Sequence, residues 1–295
     1  MNSIEYYWLN EFTCSLKREK TIHNYKHVIE QFLDFSHKDF VSTDENDVKQ
    51  YISLLRRNKK AETSIQTYLS IMSSFFNFLQ EKDVIGKEIT NVFSIYKPLG
   101  THKRIASEKI PSVTDINTLL EVSKQFNTEY YLIIALAVKC GLSESEIFNL
   151  NVGDFFVDRY KKLGIRVICE DKVRYVKLPL DIANIVNGYV SKKKLENADK
   201  NSPLFTSIRN TRLSARTIRY NIRQINDKAG ISPAITLQDM RNFTAVSLLK
   251  SGVSPQDVAS TLGIGISWIT RYDRAVSELD LSMTDKSNIY VKFTS

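Results

Sequence analysis

Five arginines, Arg209, Arg212, Arg216, Arg219 and Arg223, follow one another at steps of three, four, three and four residues with no carboxylate among them. On a helix beginning near Ser214 the last three share one face, and the first two precede it on the approach. A charge stripe can be no more than a solvated face. Five uncompensated guanidinium groups, however, suit the oxygens of DNA phosphates and the edges of guanine better than they suit a neutral surface. Two further basic groups are candidates for the same partner: Lys172 with Arg174, and Arg56, Arg57, Lys59 and Lys60. Other chemistries have little to work with. Cys14, Cys140 and Cys169 are scattered, without the paired spacing of a metal site or a disulfide framework, and read as reduced core or surface residues. The four histidines, His23, His27, His37 and His102, all lie in the first part of the chain, so nothing after His102 offers an imidazole for acid–base work. No cofactor and no metal is expected.

The 295 residues carry a formal charge of +8. Residues 1–98 balance 13 Lys or Arg against 13 Asp or Glu, so the whole excess falls on the remainder, most densely between Arg159 and Lys228. A partner rich in phosphate is the natural counterpart. With 42% hydrophobic residues, 10 Gly and 6 Pro, the composition excludes collagen-like and low-complexity classes and gives no sign of extended disorder. The longest apolar run, Tyr131 to Val138, is far too short to cross a bilayer, and Glu5 and Glu11 sit where a signal peptide would be basic and then apolar. The expectation is a cytoplasmic protein with no membrane partner.

These basic residues must be positioned by a mostly helical frame. Tyr25, Val28, Ile29, Phe32 and Phe35 recur at helical steps, as do Val48, Tyr51, Ile52 and Leu55, and then Ile65, Tyr68, Leu69, Met72, Phe75, Phe76 and Leu79. Their aromatics lie on the repeating face and read as core rather than as stacking surfaces. Thr43 and Asp44 predict a cap for the second of these helices. From Tyr96 to Thr114 the pattern lapses around Pro98, Gly100 and Pro111, which predicts a linker over 99–112 between a helical domain, 1–98, and a second domain, 113–295. Helices are expected over Val113 to Phe126 and Glu129 to Val138, the second buried all round, and again from Ser143, Ile182, Ala215, Asp239 and Pro255. Between Arg166 and Leu180 the β-prone residues flank the turn Glu170-Asp171-Lys172 and predict a hairpin. The fold class is mainly α with a small β-hairpin or sheet (α+β).

Three segments then resemble the tyrosine recombinase, or phage integrase, family over nearly the whole chain. Lys139-Cys140-Gly141-Leu142-Ser143-Glu144-Ser145-Glu146-Ile147 resembles its threonine-glycine-leucine-arginine box, and Leu237-Gln238-Asp239-Met240-Arg241-Asn242-Phe243-Thr244-Ala245 its histidine-x-x-arginine box. Leu262-Gly263 followed by Thr270-Arg271-Tyr272 resembles the segment that bears the nucleophilic tyrosine. The resemblance implies a core-binding helical domain followed by a catalytic-type domain, with duplex DNA as partner. In that family a tyrosine oxygen attacks a DNA phosphodiester while two arginines hold the charge building on the phosphate. Histidines (or a histidine and a tryptophan) support proton transfer and phosphate contact, and a lysine protonates the leaving oxygen.

Carried over residue by residue, the resemblance gives Tyr272 the nucleophile's position, Arg241 the second arginine's and Lys172 the lysine's. The first arginine falls on Ser143, which is too short to fork two oxygens. The histidine of the second box falls on Gln238, the position after Arg241 is Asn242, and the last histidine or tryptophan falls on Gly263 or Ile264. Losing one preorganised donor costs about 2.7–4 kcal/mol of transition-state stabilisation, and several groups differ here. The resemblance therefore implies a remnant site. The expected function is that of a sequence-specific DNA-binding protein acting as a transcriptional regulator, such as a phage or mobile-element repressor. The alternatives are an active recombinase using Tyr272 with an unusual constellation, and an adaptor that touches no DNA. The alternating Ile289-Tyr290-Val291-Lys292-Phe293 predicts a tail that pairs with a neighbouring subunit in a homo-oligomer or folds back on its own domain.

Overall fold

The apolar stripes of the first hundred residues close on one another as helices around an aromatic core. The computed structural model of the chain describes residues 3–16, 19–96, 104–169 and 172–282, and the chain divides into two compact units, Met1–Thr101 and His102–Ser295. In the first unit, α1 (Ser3–Cys14), α2 (Glu19–Ser36), α3 (Glu45–Arg57) and α4 (Glu62–Glu81) surround Phe32, Phe40, Phe75, Phe76 and Phe93. The rings of Phe32, Phe40 and Phe93 lie 5.1–6.1 Å apart, and each fully buried ring is worth roughly 1.5–3 kcal/mol relative to exposure. Asp44 caps α3 by accepting from the amides of Asn46 and Asp47, while the Asp47 carboxylate accepts from the Asp44 amide. The first helix, α1, has no counterpart among the elements expected from periodicity. Its Tyr6 and Tyr7 face solvent, and among its described side chains Leu9 and Phe12 are the buried apolar ones, with Thr13 beside them, so no apolar stripe marks it.

The second unit is built around α6 (Thr128–Cys140), whose residues Tyr130 to Val138 are all buried, as an all-apolar helix requires. Against it pack α5 (Val113–Phe126), α8 (Leu180–Lys192) and α10 (Leu237–Lys250). The expected hairpin is the larger part of a three-stranded antiparallel sheet: β1 (Phe155–Val157), β2 (Leu163–Cys169) and β3 (Lys172–Lys177), in the order β1-β2-β3. Ile165, Val167 and Val176 face the core, while Ile168, Val173 and Tyr175 alternate to solvent. Lys172 opens β3 opposite Cys169; its side chain, like residues 170 and 171, lies outside the described residues.

Five local signals end or start the elements that bear the site. Gly141, at φ +60°, terminates α6, and a Cβ there would stand 2.6 Å from the Leu262 side chain. Ser143 caps the short α7 (Glu144–Asn149), Ser214 caps α9 (Ala215–Lys228) and Thr236 caps α10. Finally α11 (Pro255–Leu262) ends at Gly263, at φ +67°, and a 3-10 turn, Ile266–Tyr272, leads into α12 (Asp273–Ser282). Residues 104–109 run along this last segment. The Ile105 amide donates to the Arg271 carbonyl at 2.8 Å and Ser107 Oγ to Glu278 Oε2 at 2.7 Å, so the stretch expected as linker is tied to this segment at residues 105 and 107. Residues 97–103 and the alternating tail, 289–293, lie outside the described residues. Among the described residues no helix is long and apolar enough to cross a membrane.

Candidate functional site

The ends of α6 and α11 and the starts of α7 and α10 meet at one buried carboxylate, Glu146. Its backbone place is fixed by a capping box: Ser143 Oγ accepts from the Glu146 amide at 3.3 Å and Glu146 Oε2 from the Ser143 amide at 2.6 Å. Arg241 Nη1 donates to the same Oε2 at 3.0 Å and to the Gly141 carbonyl, and its Nη2 donates to the Leu262 carbonyl. On the other carboxylate oxygen, Oε1, stand Arg174 Nη2 at 2.9 Å and Nε at 3.2 Å, while Arg174 Nη1 donates to the Thr261 carbonyl. Two guanidinium groups thus share one carboxylate whose side chain is 4% exposed. Burial pushes the Arg241 pKa down and Glu146 opposes that shift, so the ion pair is what keeps the buried charge tolerable.

Tyr272 sits beside this cluster and is 2% exposed. Its hydroxyl donates to Asn242 Oδ1 at 3.2 Å, and Gln238 Nε2 donates to the same oxygen at 3.0 Å. Burial raises the Tyr272 pKa, with Arg271 and Arg241 pulling weakly the other way. The acceptor of the tyrosine proton is therefore an amide oxygen, which has no useful basicity near neutral pH. Gly263 places no side chain against the cluster, and Ile264 packs with the apolar residues around Tyr272.

The structure separates the five arginines of the stripe. Ser214 starts α9 as expected, with Ile218, Ile222 and Ile225 buried behind it. Arg209, Arg216 and Arg223 are exposed and make no ion pair among the described residues. Arg219 forks onto Glu144 at 2.6 and 2.9 Å, so its compensating acid comes from α7 rather than from its own neighbourhood in sequence. Arg212 is a correction: it is half-buried and donates to the carbonyls of Phe148 and Leu150 and to Asn151 Oδ1, which makes it an internal tie and not part of the free basic surface. Arg174 points from β3 into the Glu146 cluster, on the opposite face of the strand from the exposed Val173 and Tyr175. A cleft of ≈ 680 Å³ opens beside Ser143, lined also by Glu144, Arg219, Arg223, Thr236 and Gln238 among others. In the first unit Arg56 is paired with Glu62 at 2.7 Å, Lys60 lies over the Tyr68 ring, and Arg57 and Lys59 are exposed.

Glu146 as the centre of the cluster and the inward direction of Arg174 are the features of the arrangement that sequence reasoning missed. The first had a signal in the Ser-x-x-Glu spacing of a capping box. The second had one in strand alternation, since Arg174 shares a face with the buried Val176.

The sequence profile of the phage integrase family matches residues 112–273, and that of the phage integrase N-terminal SAM-like domain matches residues 8–85. The chain is 25% identical over 281 residues to the tyrosine recombinase XerC of Halalkalibacterium halodurans, covering 87% of this chain and 88% of the relative. It is 29% identical over 219 residues to a tyrosine recombinase of Pseudothermotoga lettingae, covering 73% and 72%. In fold it is similar to the Tn1549 transposon integrase in complex with circular intermediate DNA, at a TM-score of 0.70 and 14% identity over 92% of this chain and 97% of that one. It is also similar to a lambda integrase(75–356) dimer bound to a COC′ core site, at a TM-score of 0.68 and 16% identity over 91% and 94%.

Proposed function

This chain belongs to the phage integrase family, and from that premise we propose that it is a sequence-specific duplex-DNA-binding protein in which strand cleavage has been lost, serving as a transcriptional regulator of a phage or mobile element. The observation that carries the loss of cleavage is the partner of the nucleophile's hydroxyl. Tyr272 donates to Asn242, Asn242 is held by Gln238, and none of the three can take up a proton at physiological pH. Attack on a phosphodiester needs that proton removed and another delivered to the departing deoxyribose oxygen. Arg241 retains its charge, and Arg209, Arg216 and Arg223 keep an exposed basic surface, so binding survives where chemistry does not. The structural neighbours include a transposon integrase in complex with DNA and a lambda integrase dimer bound to its core site, which supports the same partner.

Footprinting across a source genome tests the reading. Protected sites overlapping promoters are the expected result, protection only at the end of a mobile element would favour recombination, and binding indifferent to sequence would reject the regulator. One observation favours the second reading, an active recombinase: Arg174 brings a second guanidinium to the cluster despite the serine at 143. A covalent protein–DNA adduct through Tyr272 separates the two.

A further inference from the structure

The buried cluster around Glu146 does not balance its charge. One carboxylate, 4% exposed, faces two guanidinium groups whose side chains are 9% and 15% exposed, which leaves a net positive charge in a largely dry setting. A lone buried pair is already costly, and an uncompensated extra cation is worse unless an anion joins it. Neither arginine is saturated. Arg174 and Arg241 each use three of their five N–H groups on acceptors among the described residues.

The second observation concerns Gly263. A Cβ built there would stand 2.7 Å from Arg174 Nε and 2.8 Å from its Cδ. The Arg174 side chain therefore fills the space beside residue 263 that a larger residue would claim. Arginine at 174 and glycine at 263 are a matched pair, and together they bring the guanidinium to the carboxylate that also anchors Arg241.

We propose that Arg174 is a phosphate-gripping residue: its guanidinium and that of Arg241, oriented on the two oxygens of Glu146, form a cradle for one DNA phosphodiester and supply the charge that Ser143 does not. The inference rests on the reading that this chain binds duplex DNA, and it holds whether or not the bound strand is cut. Glu146 acts as a positioning residue, since it aims both forks and touches no phosphate.

The test uses the full chain and a duplex enriched from a random-sequence library by the wild-type protein. Failure to enrich any duplex would defeat the DNA reading itself, and the cradle with it. Given such a duplex, single methylphosphonate substitutions neutralise one phosphate at a time. Wild type is expected to lose affinity about tenfold or more at one position, and Arg174→Met to show little further loss there, with its log–log salt slope lowered by about one. Arg174→Lys keeps the charge without the fork. It is expected to keep the slope while losing several-fold in affinity, and it serves where the methionine variant fails to unfold cooperatively. An unchanged methylphosphonate profile and salt slope in Arg174→Met, or wild-type affinity in Arg174→Lys when only that variant folds, would overturn the proposal. A merely structural role would alter thermal stability but leave the profile in place.

Discussion

Residue 263 is where backbone and side-chain constraints meet. It holds φ at +67° while Arg174 occupies the space beside it, so Gly263→Ala meets both a left-handed penalty of about 1–2 kcal/mol and a clash that forces the guanidinium away. The expected outcome in urea denaturation is a loss of at least that size, smaller in a background where Arg174 is already alanine. Equal losses in both backgrounds would show that the two residues are not coupled. Tyr272→Phe removes one hydrogen bond, while Gln238 still satisfies the acceptor. It should cost about 0.5–1.5 kcal/mol of stability and leave DNA affinity within a few-fold. At this scale the sequence was partly legible. Motif spacing singled out Tyr272, Arg241 and Ser143, which lie around the Glu146 cluster. The meeting of Arg174 with Glu146 joins positions far apart in sequence, which no local pattern encodes.

At the scale of elements, α9 and the loop before it divide the arginine stripe into two kinds of residue. Replacing Arg216, Arg219 and Arg223 together by alanine should weaken DNA binding and lower the salt slope by about one for each phosphate no longer neutralised. Arg212→Ala should do the reverse, leaving the slope intact while costing about 1–3 kcal/mol of stability, because the Phe148 carbonyl and Asn151 Oδ1 lose this donor while the Leu150 carbonyl keeps only the Leu204 amide. Salt-dependent affinity and denaturant midpoints for the two variants check both statements. Sequence spacing identified the helix and its cap but could not tell Arg212 from its neighbours, since its partners lie on another element. The same limit explains β1: three residues, Phe155–Val157, are too few to show an alternating pattern and become a strand only by pairing with β2.

For the whole molecule, the net charge of +8 and a balanced first third place the excess on the second unit, where the Glu146 cluster and the exposed arginines also lie. The family architecture was legible because three motif segments follow one another in the family's order within the stretch that its profile matches. Whether the chemistry has gone is the central question, and it turns on the proton of one tyrosine. The direct measurement is incubation of the wild-type protein with a nicked suicide duplex carrying its own footprinted site, followed by denaturing electrophoresis. We predict bound DNA and no covalent product at any time point. A protein–DNA adduct that forms with wild type and disappears in Tyr272→Phe would contradict the account and establish this chain as a working recombinase.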